Sequence, residues 1–178
     1  MYRSEDVLEC IHDIQERLQN EVLFLNNGGC GVFASYLVEE MKRRSIFPKL
    51  RILSDISVSD DEINVEDVEK ELKEYDVDLV NIDNWNDNGV FFSHIIVEWD
   101  GYFFDGYEMI DIDEIKNEGW EGIELNLLDG SISYSTMKLL AEYGCWNIFY
   151  DRDQNFLVHQ IIKECFEKLD QKYTSIAA

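Results

Sequence analysis

A cysteine enclosed by glycines precedes a helical pattern in residues 26–36, NNGGCGVFASY. Glycine neighbours remove side-chain bulk and let another molecule approach the backbone closely, which a cysteine that only fills core space does not require. Apolar residues then recur at helical spacing and a basic cluster follows them: Val32, Phe33, Ala34, Leu37, Val38 and Met41, then Lys42, Arg43 and Arg44. We therefore expect Cys30 at the N-terminus of a mostly buried helix, where the helix dipole favours the thiolate.

The second informative segment, residues 90–108, reads VFFSHIIVEWDGYFFDGYE and predicts a β-hairpin. Its two β-rich runs flank Asp100-Gly101, a dipeptide typical of a type I′ turn. Pairing outward from that turn places Trp99 opposite Tyr102, and the alternation of side chains defines two faces. One face is predicted to be apolar core, and the other is mixed: Ile95, Val97, Trp99, Tyr102 and Phe104 on the first; His94, Ile96, Glu98, Phe103, Asp105 and Tyr107 on the second.

His94 and Asp105 are diagonal neighbours on the second face of this predicted hairpin. Their backbones are expected to be roughly 7 to 8 Å apart, which allows the imidazole and the carboxylate to hydrogen-bond. A histidine oriented by a carboxylate is the general base that a cysteine nucleophile needs. Cys30, His94 and Asp105 together therefore indicate the chemistry of thiol acyl transfer.

The order of these residues resembles the papain-like superfamily of cysteine hydrolases, and within it the circularly permuted, transglutaminase-like branch. Three short motifs within residues 26–110 carry the resemblance. Gly29-Cys30 opens a helix, Ser93-His94-Ile95-Ile96-Val97 begins a strand, and Gly101-Tyr102-Phe103-Phe104-Asp105 lies on the next strand.

This resemblance implies a nucleophile at Cys30, a general base and then acid at His94, and an orienting carboxylate at Asp105. It implies an α+β fold in which a central helix bearing the cysteine packs on an antiparallel β-sheet, with peripheral helices around this core. The implied activity is that of a cysteine peptidase, an amidase or a transglutaminase-like enzyme. Such an enzyme cleaves or exchanges an amide or isopeptide bond through a thioester, and no cofactor is implied.

The oxyanion site departs from the pattern of the unpermuted papain-like enzymes, which often place a glutamine shortly before the cysteine. The segment before Cys30 offers only Asn26 and Asn27. The backbone N–H groups of Cys30 and Gly31, with a side-chain donor from one of the asparagines, are therefore the candidate oxyanion ligands. The acidic stretch at 55–88 also has no counterpart in the motifs, and we interpret it as a solvated peripheral insertion.

The remaining patterns predict the elements that surround these residues within one domain, residues 1–178. Helices are expected at 4–19, 63–75, 111–118, 133–142 and 153–171, and further strands at 50–58, 121–128 and 145–150. The first helix carries Cys10 and His12, which point away from each other because they are two positions apart.

The cysteines and the loops give no sign of a metal site. Cys10, Cys30, Cys145 and Cys165 have no CxxC spacing, which argues against zinc and against a small disulfide framework. Acidic loops such as 59–62 lack the spacing of a calcium-binding loop.

No apolar run is long enough to span a bilayer, and the N-terminus lacks the order of a secretory signal. We expect reduced thiols and a cytoplasmic location.

The charge balance restricts the partners, because 38 acidic and 15 basic residues give a formal net charge of -23. Such a surface repels phosphate backbones and anionic lipid headgroups, so direct binding to nucleic acid or to a membrane is not expected. A protein or peptide substrate, basic in charge, is the partner that this surface would attract. The same charge supports an alternative function, a non-catalytic interaction or inhibitor protein that mimics nucleic acid and binds a basic partner.

Overall fold

The computed structural model describes residues 2–22, 25, 29–54, 94–118, 126–127 and 152–176, and this part of the chain has an α+β architecture. The expectations for the acidic insertion, for the elements at 63–75, 133–142 and 145–150 and for Cys145 lie outside these residues. In chain order the elements are α1 (Ser4–Glu21), α2 (Cys30–Arg43), β1 (Lys49–Ser54), β2 (His94–Trp99), β3 (Tyr102–Phe104), β4 (Met109–Ile110), α3 (Ile112–Glu118), β5 (Asn126–Leu127) and α4 (Arg152–Ile176).

The strands form one antiparallel sheet in the order β4-β3-β2-β1-β5. The predicted hairpin is confirmed, since Trp99 pairs with Tyr102 and Val97 pairs with Phe104. Its turn residues have positive φ angles, 53° at Asp100 and 82° at Gly101, as a type I′ turn requires. Strand β1 lies on the other side of β2, so β2 is a central strand with partners along both edges.

The second strand of the hairpin is shorter than the sequence pattern indicates. It ends at Phe104, and the N–H of Asp105 donates to the carbonyl of Glu108 to close a turn before β4. Asp105 and Tyr107 were expected on the strand, opposite β2, but they belong to this turn. The Asp105 carboxylate accepts backbone N–H groups within the turn, and such local bonds compete with the strand ladder.

The two faces of the sheet pack against different parts of the protein. Ile95 and Val97 of β2 join the main core with the buried faces of α1, α2 and α4, whereas Ile96 packs on the other side with Leu53 and Ile115. The face predicted to be wholly apolar core is not buried throughout, because Tyr102 at its end is 41% exposed.

Helix α2 is the centre of the main core, and its predicted apolar stripe is buried against the sheet and against α4. Helix α1 packs on α4, and both were expected nearly at their observed bounds. A charged cluster joins α2 to α4: Arg44 donates to Glu40 and to Asp170, and its guanidinium lies over the ring of Phe166. Among the described helices, none is long and apolar enough to cross a membrane.

Candidate active site

Cys30 is the first residue of α2, and it lies within the main core at 3% exposure. The preceding turn is closed by a 2.6 Å hydrogen bond from the N–H of Gly29 to the carbonyl of Leu25. The backbone N–H groups of Gly31 and Ile95 face the sulfur and lower the pKa of the thiol. The sulfur is thus held between the start of a helix and the start of the central strand.

His94 is the first residue of β2, where it pairs with Leu53 of β1 and is 5% exposed. Its Nε2 atom lies 3.1 Å from Oδ2 of Asp105, as the sequence spacing predicted. The His94 ring also hydrogen-bonds the Cys30 side chain. Because Nε2 is engaged by the carboxylate, Nδ1 is the ring nitrogen that remains for the sulfur.

Asp105 is fully buried, and its two carboxylate oxygens have different partners. Oδ1 accepts the N–H of Tyr107 at 2.7 Å and that of Glu108 at 2.8 Å, whereas Oδ2 faces His94. The turn that shortened β3 therefore holds the carboxylate in one orientation. Burial raises the pKa of Asp105, but the hydrogen bond from His94 and the two N–H groups outweigh it, so the pKa lies below its ordinary value.

The electrostatics of the site favour a charged pair between sulfur and imidazole. Burial raises the pKa of the Cys30 thiol, but the hydrogen bond and positive charge of His94, followed by the N–H groups of Ile95 and Gly31, lower it overall. Burial lowers the pKa of His94, but Asp105 and then Cys30 outweigh that effect and raise it to about 9. This arrangement favours a thiolate beside an imidazolium over the neutral thiol and imidazole.

The turn from Asp105 to Glu108, called the acid turn below, carries the carboxylate. Helix α1 supports this turn through two glutamines that the sequence pattern did not reveal. The amide of Gln15 donates to the carbonyl of Asp105 at 2.9 Å, and that of Gln19 donates to the carbonyl of Tyr107 at 2.5 Å. Gln15 is 4% exposed. A usable signal existed, since Gln15 lies four residues after Ile11 on the buried stripe of α1, where a polar side chain needs a partner.

The other predicted residues fall into separate places. The N–H of Gly31 contacts the sulfur, whereas Asn26 and Asn27 lie outside the described residues, so their oxyanion role stays a prediction. Cys10 and Cys165 are free and buried, and burial is the main cause that raises the pKa of each. These two thiols have no imidazole partner of the kind that His94 provides to Cys30.

The site brings a cysteine, a histidine and an aspartate into contact, in the order sulfur, imidazole, carboxylate. Within the described residues, no group of three or more His, Cys, Asp or Glu side chains could hold a metal ion. Comparison of the chain with protein-family models, with curated proteins and with solved structures found no match. The interpretation of the site therefore depends on its geometry and on the chemistry of its residues.

Proposed function

We propose that this protein is a thiol-dependent hydrolase or acyltransferase that cleaves or exchanges an amide or isopeptide bond through a thioester on Cys30. The observation that carries the proposal is the buried series of hydrogen bonds from Cys30 to His94 and from His94 to Asp105. A nucleophile, its base and an orienting acid in contact in this order are the requirements of covalent acyl transfer.

A papain-like fold of the transglutaminase-like branch is part of the same proposal. Three features support it: α2 begins at the cysteine and packs on an antiparallel sheet, the histidine begins a strand, and the aspartate follows the adjacent strand. We further propose a reducing, cytoplasmic location, since Cys10, Cys30 and Cys165 are free thiols.

Acylation begins from the thiolate of Cys30 and the imidazolium of His94. The sulfur attacks the substrate carbonyl carbon, and the carbonyl π electrons move to the oxygen. The N–H of Gly31, which contacts the sulfur in the resting site, is a donor available to that oxyanion. As the intermediate collapses, His94 gives its proton to the amine nitrogen, the C–N bond breaks, and a thioester and a free amine result.

Deacylation reverses the role of the histidine. Neutral His94 takes a proton from the acceptor, water or an amine, while the acceptor attacks the thioester carbonyl. The C–S bond then breaks, which restores the thiolate of Cys30 and the imidazolium of His94 and releases an acid or a new amide. Asp105 stays ionised throughout and stabilises the imidazolium form, consistent with the direction in which it moves the pKa of His94.

The pH profile of acylation follows from these protonation states. Attack requires that Cys30 has lost its proton, and its pKa is lowered from the ordinary value. Departure of the amine requires that His94 keeps its proton, and its pKa is raised to about 9. The rate of acylation therefore rises as the thiol ionises and falls as pH increases through about 9, which gives kcat/KM a bell-shaped profile.

Reaction with p-nitrophenyl acetate tests the proposal without knowledge of the natural substrate. We expect a stoichiometric burst of nitrophenolate and an acetyl group on Cys30, located by peptide mass spectrometry. Cys30→Ser should abolish this burst. Cys10→Ser should leave it unchanged, because burial raises the pKa of the Cys10 thiol, whereas His94 lowers that of Cys30. Acetylation spread equally over Cys10 and Cys30, or a burst that persists in Cys30→Ser, would contradict the proposal.

The second candidate is the non-catalytic acidic interaction protein, which the net charge of -23 favours. It predicts salt-sensitive binding to a basic protein that is unaffected by Cys30→Ala. Binding that persists unchanged at ~1 M salt, where the Debye length is about 3 Å, would remove this candidate. A burst that depends on Cys30 would favour the enzyme over this alternative.

A further inference from the structure

Tyr107 lies outside the sulfur, imidazole and carboxylate series, yet it contacts Asp105 with one atom and the chain before Cys30 with another. Its backbone N–H donates to Oδ1 of Asp105 at 2.7 Å. Its phenolic oxygen accepts the backbone N–H of Leu25 at 2.7 Å. Asp105 follows strand β3, and Leu25 precedes helix α2, so a single side chain joins two segments that are distant in the sequence.

The contact with Leu25 reaches the nucleophile through the main chain. The carbonyl of Leu25 accepts the N–H of Gly29 at 2.6 Å, and Gly29 is the residue immediately before Cys30. The N–H and the carbonyl of Leu25 are thus both hydrogen-bonded, the first to Tyr107 and the second to Gly29. This pair of hydrogen bonds links the turn at Asp105 to the residue before Cys30.

Packing between the same two segments is close. A β-carbon added to Gly106 would lie 2.2 Å from Cδ2 of Leu25, and Leu25 is fully buried. Gln19 of α1 holds the Tyr107 carbonyl from the other side. Tyr107 is therefore fixed at its N–H, its carbonyl and its hydroxyl, and it has little freedom to accommodate a shift of the Leu25 turn.

We propose that Tyr107 is a positioning residue whose hydroxyl sets the distance between Cys30 and His94 by linking the turn before α2 to the turn that carries Asp105. This inference deepens the proposed function and depends on it. The backbone N–H of Tyr107 orients the carboxylate, and the hydroxyl aligns the sulfur with the ring that the carboxylate holds. Tyr107 touches neither the sulfur nor the imidazole, so it acts through the residues on both sides.

The test is Tyr107→Phe, which deletes the hydroxyl and keeps the ring and the backbone N–H. The rate of Cys30 alkylation by iodoacetamide is measured across pH in wild type and variant. Without the link the sulfur moves relative to His94, and the midpoint of the alkylation profile should rise by about one pKa unit. The rate at a pH below the midpoint should then fall about tenfold.

Tyr2→Phe is the matched control, because the hydroxyl of Tyr2 is also hydrogen-bonded, at 2.5 Å to Asp170, but it lies between α1 and α4. We expect Tyr2→Phe to leave the profile in place even if it lowers the denaturant midpoint. Gln19→Ala weakens the support of Tyr107 at its carbonyl, and it should raise the midpoint of the alkylation profile as well. If Tyr107→Phe does not fold, Gln19→Ala decides the question by the same profile.

Two results would overturn the inference. A Tyr107→Phe profile that overlays that of the wild type, while wild-type Cys30 ionises at a lowered pH, removes the role of Tyr107 and leaves the proposed function intact. If Tyr2→Phe raises the alkylation midpoint as much as Tyr107→Phe does, the shift reflects a general loss of stability and not the positioning of Cys30. A wild-type midpoint at the ordinary cysteine value would instead contradict the proposed function itself, so the two failures are distinguishable.

Discussion

Replacing Asp105 by asparagine isolates the contribution of the buried carboxylate, because the change removes a charge and keeps the shape of the side chain. The asparagine oxygen can still accept the N–H groups of Tyr107 and Glu108 that now bind Oδ1. Its NH₂ group then faces His94. An amide NH₂ only donates, so Nε2 of His94 becomes an acceptor and the neutral ring carries its proton on Nδ1. A ring in this tautomer cannot take a proton from Cys30.

The size of the effect follows from the causes of the raised His94 pKa. Asp105 and Cys30 together overcome burial and raise that pKa to about 9, and the hydrogen bond with Asp105 is the larger of their contributions. A neighbouring opposite charge shifts a pKa by about 1 to 3 units. We expect Asp105→Asn to lower the His94 pKa by about 2 units, or roughly 2.7 kcal/mol. Thiolate formation at Cys30 becomes less favourable, and alkylation near neutral pH should slow by at least about tenfold.

Two measurements check this prediction, a histidine NMR titration and the alkylation rate of Cys30. The control variant is Asp6→Asn, which removes another carboxylate that is 4% exposed but pairs with Arg3 and Lys172. A His94 midpoint near 6.5 in the wild type, or a midpoint and rate that Asp105→Asn leaves unchanged, would refute the reasoning.

Two further predictions concern the packing that holds the site. Gly106→Ala would place a β-carbon 2.2 Å from Leu25 Cδ2. This overpacking should lower the free energy of unfolding, measured by urea titration, by about 1 to 3 kcal/mol. A decrease below about 0.5 kcal/mol would show that Leu25 moves freely. Arg44→Met leaves the buried Glu40 with Arg43 as its remaining arginine partner, and it should cost about 2 to 3 kcal/mol. Arg43→Met, at a side chain that is 52% exposed, should cost less than about 1 kcal/mol, and equal losses in the two variants would contradict this account.

The local geometry of the site was largely predictable from the sequence. The Asp100-Gly101 turn fixes the register of β2 and β3, and alternation then separates Ile95 from Ile96 onto opposite faces. The glycines before Cys30 and the apolar stripe after it predict where α2 begins. These features depend on residues that are close in the sequence, so short-range rules are sufficient for them.

The supporting contacts were not predictable, because they join residues that are distant in the sequence. Gln15 reaches the carbonyl of Asp105 from α1, and Tyr107 reaches the N–H of Leu25 across two loops. The early end of β3 was also missed, since the Asp105 side chain caps a turn where the pattern favours a longer strand. The contact of Cys30 with His94 arises from the packing of α2 against the sheet, which no spacing in the sequence encodes.

The ionisation state of Cys30 in the folded protein tests the central claim most directly. The thiolate absorbs in the ultraviolet, so a pH titration of the wild type minus Cys30→Ser isolates its signal from those of the other cysteines. We expect a thiolate that forms at a pH below the ordinary cysteine pKa of about 8.5. A difference signal that appears only at or above that ordinary value would contradict the thiolate and imidazolium pair on which the proposed chemistry depends.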